Sequence, residues 1–257
     1  MSSALASIIE GVLEDLDARK LPLSQLREQL AGAAAIRDAY GSLNIGQLAL
    51  IAEVKRSSPS KGALASISDP AELALQYQNG GANVVSVLTE GRRFGGSIAD
   101  LVKVRSAIDL PVLRKDFIVT EYQVIETRAI GADLLLLIVA GLSDSQLKDF
   151  HQLATELGLA VLVEVHDELE IERALAISPR IIGVNSRNLK TLEINRGAFA
   201  RLLPLIPSEL TRIAESGIST RSEVEEIEGL GAQAILVGET LVRASDPLTG
   251  IKLLLGK

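Results

Sequence analysis

Eight short runs rich in valine, isoleucine and leucine recur along the chain, at residues 48–55, 83–90, 111–117, 132–140, 160–166, 181–187, 211–217 and 234–240. Helical patterns separate them and no hairpin dipeptide joins one run to the next, so the chain reads as successive βα units on a parallel sheet. The intervening segments carry start signals. Asp69 with Pro70 and Glu72, Thr120 with Gln123, Ser143 with Gln146, Asp167 with Glu170, and Thr220 with Glu223 each pair a capping residue with an acid or amide three positions on. Gly80, Gly131, Gly158 and Gly231 fall at helix ends, and Gly-Ala pairs at 81–82, 131–132 and 231–232 each precede a strand. Eight strands alternating with helices favour a closed α/β fold, the (β/α)8 barrel, over an open doubly wound sheet. Residues 4–37 add two helical patterns on either side of Leu21-Pro22. The expectation is a single domain over residues 1–257, with an N-terminal helical extension (1–47) and the barrel (48–257).

Charged residues break the apolar pattern in one kind of place. Strict alternation puts Ile51, Glu53 and Lys55 on one face of the first run and Ala52 and Val54 on the other. A buried charge costs several kcal/mol unless paired, so Glu53 and Lys55 form either a structural ion pair or part of a site. Lys115 closes the third run, Glu164 the fifth, Asn185 and Arg187 the sixth, and Glu215 with Ser216 the seventh. All lie near strand C-terminal ends, the face on which this architecture carries its active site. Glu164 alternates with Val161, Val163 and Val165 and so points toward the barrel mouth.

The loops after three strands suit an anion. Residues 56–62, RSSPSKG, are basic and rich in hydroxyls. Ser216-Gly217 after the seventh run and Gly238-Glu239 after the eighth let backbone N–H groups approach phosphate, where barrels commonly hold it, although a tight turn is the alternative for each glycine. With Ser58 across the rim they make a three-sided phosphate pocket.

Composition narrows the remaining choices. A net charge of −7 with a pI near 5.1 argues against general nucleic-acid binding. The absence of cysteine excludes disulfides, thiolate metal sites and a cysteine nucleophile, and points to a reducing cytoplasm. No signal peptide and no apolar run of membrane-spanning length is evident. His151 falls in an amphipathic helical pattern and reads as structural, His166 ends a strand and is ambiguous, and neither has companions at metal-ligand spacing. The expected partner is a small phosphorylated substrate, with no metal or cofactor, no nucleic acid and no membrane, on a monomer or weak homo-oligomer.

Seven motifs, in order, resemble the indole-3-glycerol phosphate synthase family. They are IAEVKRSSPSKG from Ile51, VLTEGRRFGGS from Val87, LRKDFIVTEYQVIE from Leu113, VLVEVH from Val161, GVNSRNLKTLEI from Gly183, AESGI from Ala214 and LVGETL from Leu236. The resemblance spans most of the chain and includes the helical extension, which in the family folds over the barrel mouth. It covers one barrel, without the isomerase barrel fused to this enzyme in some organisms. It implies ring closure of 1-(2-carboxyphenylamino)-1-deoxyribulose 5-phosphate to indole-3-glycerol phosphate, with loss of carbon dioxide and water. Lys115 is then the leading general acid, and Glu164 handles protons in the dehydration. Lys55 binds the substrate carboxylate and assists acid catalysis, Glu53 tunes the lysines, and Asn185 orients substrate hydroxyls. Phe94 and Phe117 match positions lining the anthranilate pocket, with core packing as the alternative. Arg187 and Ser58 hold phosphate or nearby oxygens, and Glu215 matches a family site position.

Two departures stand out against the family pattern: Glu90, where many relatives have aspartate, and Arg92-Arg93, a more basic run than usual before Phe94. Two rival readings use the same residues. A Schiff-base aldolase would employ Lys55 or Lys115 as nucleophile; a binding scaffold would have no reason to keep buried charges.

Overall fold

The apolar runs form eight parallel strands because β-branched and leucine side chains fill a sheet that is covered on both faces. The computed structural model describes residues 4–257. The strands are β1 (Ala49–Val54), β2 (Val84–Leu88), β3 (Val112–Lys115), β4 (Leu134–Ile138), β5 (Ala160–Val165), β6 (Ile181–Asn185), β7 (Thr211–Glu215) and β8 (Ala234–Val237). Each pairs with its sequence neighbours, and β1 pairs with both β2 and β8, closing the barrel. Six of the strands stop two or three residues short of their predicted C-terminal limits, and β1 and β5 stop one short. The overrun has a physical cause: Lys55, Asp116, Phe117, His166, Ser186 and Arg187 leave the ladder to line or support the mouth.

Alternation divides the strand residues between two cores. Ile51, Val84, Leu113, Leu134, Leu136, Leu162, Ile181, Ile213 and Leu236 fill the barrel interior. Ala52, Val85, Leu135, Val161, Val163, Ile182, Val184, Ala214 and Ile235 pack outward under the helices. A fully buried aliphatic side chain of this size contributes about 1.5–3 kcal/mol, which makes apolar filling the default at every inward position. The mouth-side inward positions of β1, β3, β5 and β7 depart from it: Glu53, Lys115, Glu164 and Glu215 stand where further branched aliphatics would complete the stack.

Seven helices cover the barrel between strands: α4 (Pro70–Gly80), α5 (Ile98–Ala107), α6 (Glu121–Ala129), α7 (Asp144–Glu156), α8 (Glu168–Leu175), α9 (Gly197–Leu202) and α10 (Arg221–Gly229), before α11 (Glu239–Val242) and α12 (Pro247–Leu255) complete the chain. The caps form largely as the sequence predicts. Asp69, Thr120, Ser143, Asp167 and Thr220 each accept a backbone N–H from the first turn, and Ser143–Gln146 and Thr220–Glu223 are reciprocal capping boxes. At the end of α4 it is Gly81, not Gly80, that takes the left-handed conformation; Gly80 stays helical, where a Cβ would press on Ile251. His151 lies on α7, whose Leu147, Phe150 and Ala154 are buried as its pattern predicts.

The extension has three helices rather than two: α1 (Ala4–Arg19), α2 (Leu23–Ala31) and the short α3 (Ala39–Leu43). Leu5, Ile8 and Val12 of α1 join the interior cluster beside Phe117 and Ile138 at the mouth, whereas Ala39 and Leu43 of α3 join the same cluster. Asn44, which follows α3, donates from Nδ2 to Thr211 Oγ1 at the start of β7. The extension thus touches both ends of one barrel. Among the described residues no helix is long and apolar enough to cross a membrane.

Candidate functional site

A cleft of about 330 Å³ opens at the carboxyl ends of the strands and is lined by Glu53, Lys55, Lys115, Glu164, Asn185 and Glu215 at its centre. Lys115 Nζ lies 2.8 Å from Glu164 Oε2 and 3.2 Å from Glu215 Oε2, and Lys55 Nζ lies 2.7 Å from Glu53 Oε1. Five ionisable groups therefore meet in one apolar-floored space, with three carboxylates to two ammoniums.

Burial and the close carboxyl–ammonium contacts together set the protonation states. Burial works against charge on Lys115, but Glu164, Glu215 and Glu53 outweigh it and hold the ammonium well above the usual lysine range. Burial also opposes charge on Glu164, yet Lys115 and His166 overcome it and keep this carboxyl well below its usual range. Glu215 has the opposite outcome. Burial, reinforced by repulsion from Glu164 and Glu53, pushes it up to about 7 in spite of Lys115. Neither Glu215 oxygen has an aligned hydrogen-bond partner among the described residues, so its ammonium contact is electrostatic only.

Two glycines make room for these carboxyls. A Cβ on Gly183 would collide with Glu215 Oε1, and one on Gly238 would sit 2.5 Å from Glu53 Oε1. Gly183 was not among the predicted site residues; only its place in β6 beside two carboxylate-bearing strands reveals the need for it.

Beyond β7, Ser216 (φ 71°) and Gly217 (φ 73°) are consecutive left-handed residues, a conformation that turns successive N–H groups to one side. Ser186 Oγ donates to Ser216 O and Arg196 Nε to Gly217 O, fixing the loop, and a Cβ on Gly217 would lie 2.6 Å from Ile194. Thr240 Oγ1 donates to Ile218 O and ties the β8 loop alongside. Ser216, Gly217, Gly238, Glu239 and Arg187 all line the cleft. Lys61 pairs with the Glu239 carboxylate at 2.8 Å. Arg187 is held by Ser60 Oγ and Leu192 O, and its N–H donates to Asn185 Oδ1. Ser58 is buried in a two-residue strand of the β1 loop with its Oγ unpartnered among the described residues, and it lies outside the cleft lining.

Opposite this polar side, Phe94 and Phe117 approach with ring centroids 6.2 Å apart, and Leu88, Leu136, Ile138 and Leu189 complete an apolar wall. Glu90 shapes the loop that carries Phe94, because its Oε2 accepts the N–H groups of Arg93 and Phe94. The two basic residues before Phe94 act on the extension: Arg92 pairs with Glu14 and Asp15 of α1, and Arg93 donates to Ser7.

A closed barrel with acid and base groups gathered at the carboxyl ends of its strands defines a (β/α)8-barrel enzyme. A family model for indole-3-glycerol phosphate synthase matches residues 5–254, and the chain belongs to that family, as a carboxy-lyase of tryptophan biosynthesis. Indole-3-glycerol phosphate synthase of Paenarthrobacter aurescens (strain TC1) is 55% identical over 252 residues, spanning 95% of this chain and 93% of the relative. Indole-3-glycerol phosphate synthase 1 of Streptomyces coelicolor is 53% identical over 251 residues, spanning 97% and 93%. Among solved structures, the chain superposes on a thiamine phosphate pyrophosphorylase from Pyrococcus furiosus with a TM-score of 0.61 at 14% identity, covering 80% of this chain and 93% of that one. It superposes equally on a 3-hexulose-6-phosphate synthase, with a TM-score of 0.61 at 16% identity and coverage of 82% and 98%. At such identities the likeness is one of fold alone.

Proposed function

We propose that this cleft closes the indole ring of 1-(2-carboxyphenylamino)-1-deoxyribulose 5-phosphate, with Lys115 as the general acid. The observation that carries the assignment is the position of Lys115 Nζ, 2.8 Å from Glu164 and 3.2 Å from Glu215 in a cleft that Phe94 and Phe117 also line. An acid is needed twice. The substrate carbonyl must be polarised as the aromatic carbon attacks it, and the resulting hydroxyl must be protonated to leave as water. Between these steps the ring carboxylate departs as carbon dioxide and aromaticity returns. Dehydration also removes a proton from the adjacent methylene carbon, and Glu164, kept ionised by Lys115 and His166, suits the acceptor.

Lys55 would hold the departing carboxylate and assist acid catalysis, with Glu53 fixing its ammonium at 2.7 Å. Asn185, its side chain oriented by the Arg187 N–H, would orient substrate hydroxyls. The anthranilate ring would lie against Phe94 and Phe117. The phosphate would take backbone N–H groups of Ser216, Gly217, Gly238 and Glu239, with Arg187 beside them, and the unpartnered Ser58 hydroxyl, which is outside the cleft lining, would reach it only through movement of the β1 loop. Glu215, raised to about 7, would sit beside Lys115 at 3.2 Å. A Schiff-base mechanism needs a neutral amine, and a lysine so strongly stabilised as ammonium argues against it. The same reading has the chain acting in the cytoplasm as a monomer or weak homo-oligomer, without metal or cofactor.

The chain has no tryptophan and three tyrosines, so a newly formed indole is visible against a quiet background. Mixing protein with the substrate, without added metal or cofactor, should give indole fluorescence and carbon dioxide in equal amounts. Folded protein that binds the substrate yet yields neither would refute the proposal.

A further inference from the structure

The capping signal that opens α8 is diverted, and the diversion leads into the cleft. In α7 and α10 the third-position side chain, Gln146 or Glu223, returns to the backbone N–H of its own capping residue. In α8, Asp167 caps the helix by accepting the Glu170 N–H, but the Glu170 carboxylate reaches one residue further back. Its Oε2 accepts both the His166 N–H, at 2.8 Å, and His166 Nδ1, at 2.9 Å. That contact fixes a proton on Nδ1 and leaves Nε2 3.3 Å from Glu164 Oε1, an ion-pair contact without an aligned hydrogen bond. Glu164 Oε2 meanwhile faces Lys115. The result is a file of partly buried groups around the fully buried Glu164 in which charges alternate: Lys115, Glu164, His166, Glu170. His166 is not among the residues that line the cleft.

We propose that His166, braced by Glu170, is a positioning residue that holds the Glu164 carboxylate oriented for proton acceptance. The proposal rests on the role given above to Glu164. Burial works against a charged imidazole, but Glu164 and Glu170 outweigh it and raise His166 to about 10, so Nε2 carries a proton to offer. Glu170 acts here as the third member of a nucleophilic triad does, setting the tautomer and the ring orientation of the histidine between two functional groups. Glu164 is faced by Lys115 from β3 and Glu215 from β7, with Glu53 on β1 beyond them; His166 is faced by Glu164 and by Glu170 of α8.

The test compares His166→Leu, His166→Gln, Glu170→Gln and Glu164→Gln with the parent enzyme, each first shown to be folded by its thermal transition. Misplacing a reacting group by about 1 Å costs on the order of 10²-fold in rate, so His166→Leu should lose about 10- to 100-fold in kcat with KM within about threefold. Loss of the cation should also move the acid limb of the kcat profile upward in pH. His166→Gln retains a donor but no charge and should recover part of kcat while the limb stays shifted. Glu170→Gln should fall between His166→Leu and the parent. Lys115 and Glu215 are common to all profiles, so the difference between profiles reports on His166. Parental kcat and profile in folded His166→Leu would overturn the inference, as would a lost kcat with an unmoved limb. Parental kcat in Glu164→Gln would instead overturn the role on which it rests.

Discussion

Arg114 and Lys115 are successive residues of one strand, both buried and both cationic, and they serve opposite ends. Arg114 points outward and is fully buried. Its guanidinium reaches Thr89, Thr127 and the Gln123 carbonyl, and pairs with Asp116 at 3.1 Å and Glu126 at 2.9 Å. Arg114 itself is not among the residues that line the cleft. Lys115 points inward to a cleft, where among the described residues both oxygens of its neighbour Glu215 lack an aligned partner. Burial alone does not distinguish a structural charge from a working one. What distinguishes them is whether hydrogen bonding is complete: a closed network stabilises the fold, whereas an unbalanced one beside open space is waiting for the groups a substrate brings.

Exchanging each cation for methionine should separate the two roles. Lys115→Met should lose about 10²–10⁴-fold in kcat, the range for general acid catalysis, while a phosphate-bearing product analogue still binds. A kcat near that of the parent would erase the distinction. Arg114→Met leaves Asp116 without a cation, while Glu126 keeps Arg19, and should destabilise the fold by about 3–5 kcal/mol, read by denaturant unfolding, with kcat of the folded fraction far less affected than in Lys115→Met. Glu215→Gln sharpens the contrast more gently. Because the folded-state value of Glu215 is raised to about 7 from 4.5, the native chain holds this proton over a range in which the unfolded chain has released it. The Glu215 contribution to stability is therefore present below about 4.5 and is lost as pH rises through about 7. Unfolding titrations from pH 5 to 8 should show the parent losing stability relative to Glu215→Gln, and parallel curves would contradict this.

The sequence exposed the inward-facing half of this comparison more clearly than the outward half. Alternation in β1 and β5 aimed Glu53 and Glu164 at the mouth, and the strand ends bore Lys115, Asn185 and Glu215. The same alternation says nothing about whether Arg114 meets solvent or a buried network, because its partners lie on α6 and the β2 loop. Gly183 escaped notice for a similar reason: its need arises from a carboxyl on the neighbouring strand. The five residues of α3 carry no helical period long enough to recognise, and α9 was legible only as a gap between strands. The strand limits ran long because apolar and site residues are contiguous in sequence, while pairing ends where the chain turns to line the cleft.

The extension's double attachment has a kinetic meaning. The Asn44–Thr211 contact spans 167 residues, and Leu21 meets Tyr122 Oη across 101. Closing such loops is slow compared with forming a local βα unit. During synthesis the extension emerges before the barrel, but its seat at β7 does not exist until most of the barrel strands have followed. The extension, made before the barrel, is thus among the last parts to settle, and its contact at β7 waits on the strands that follow it in the chain.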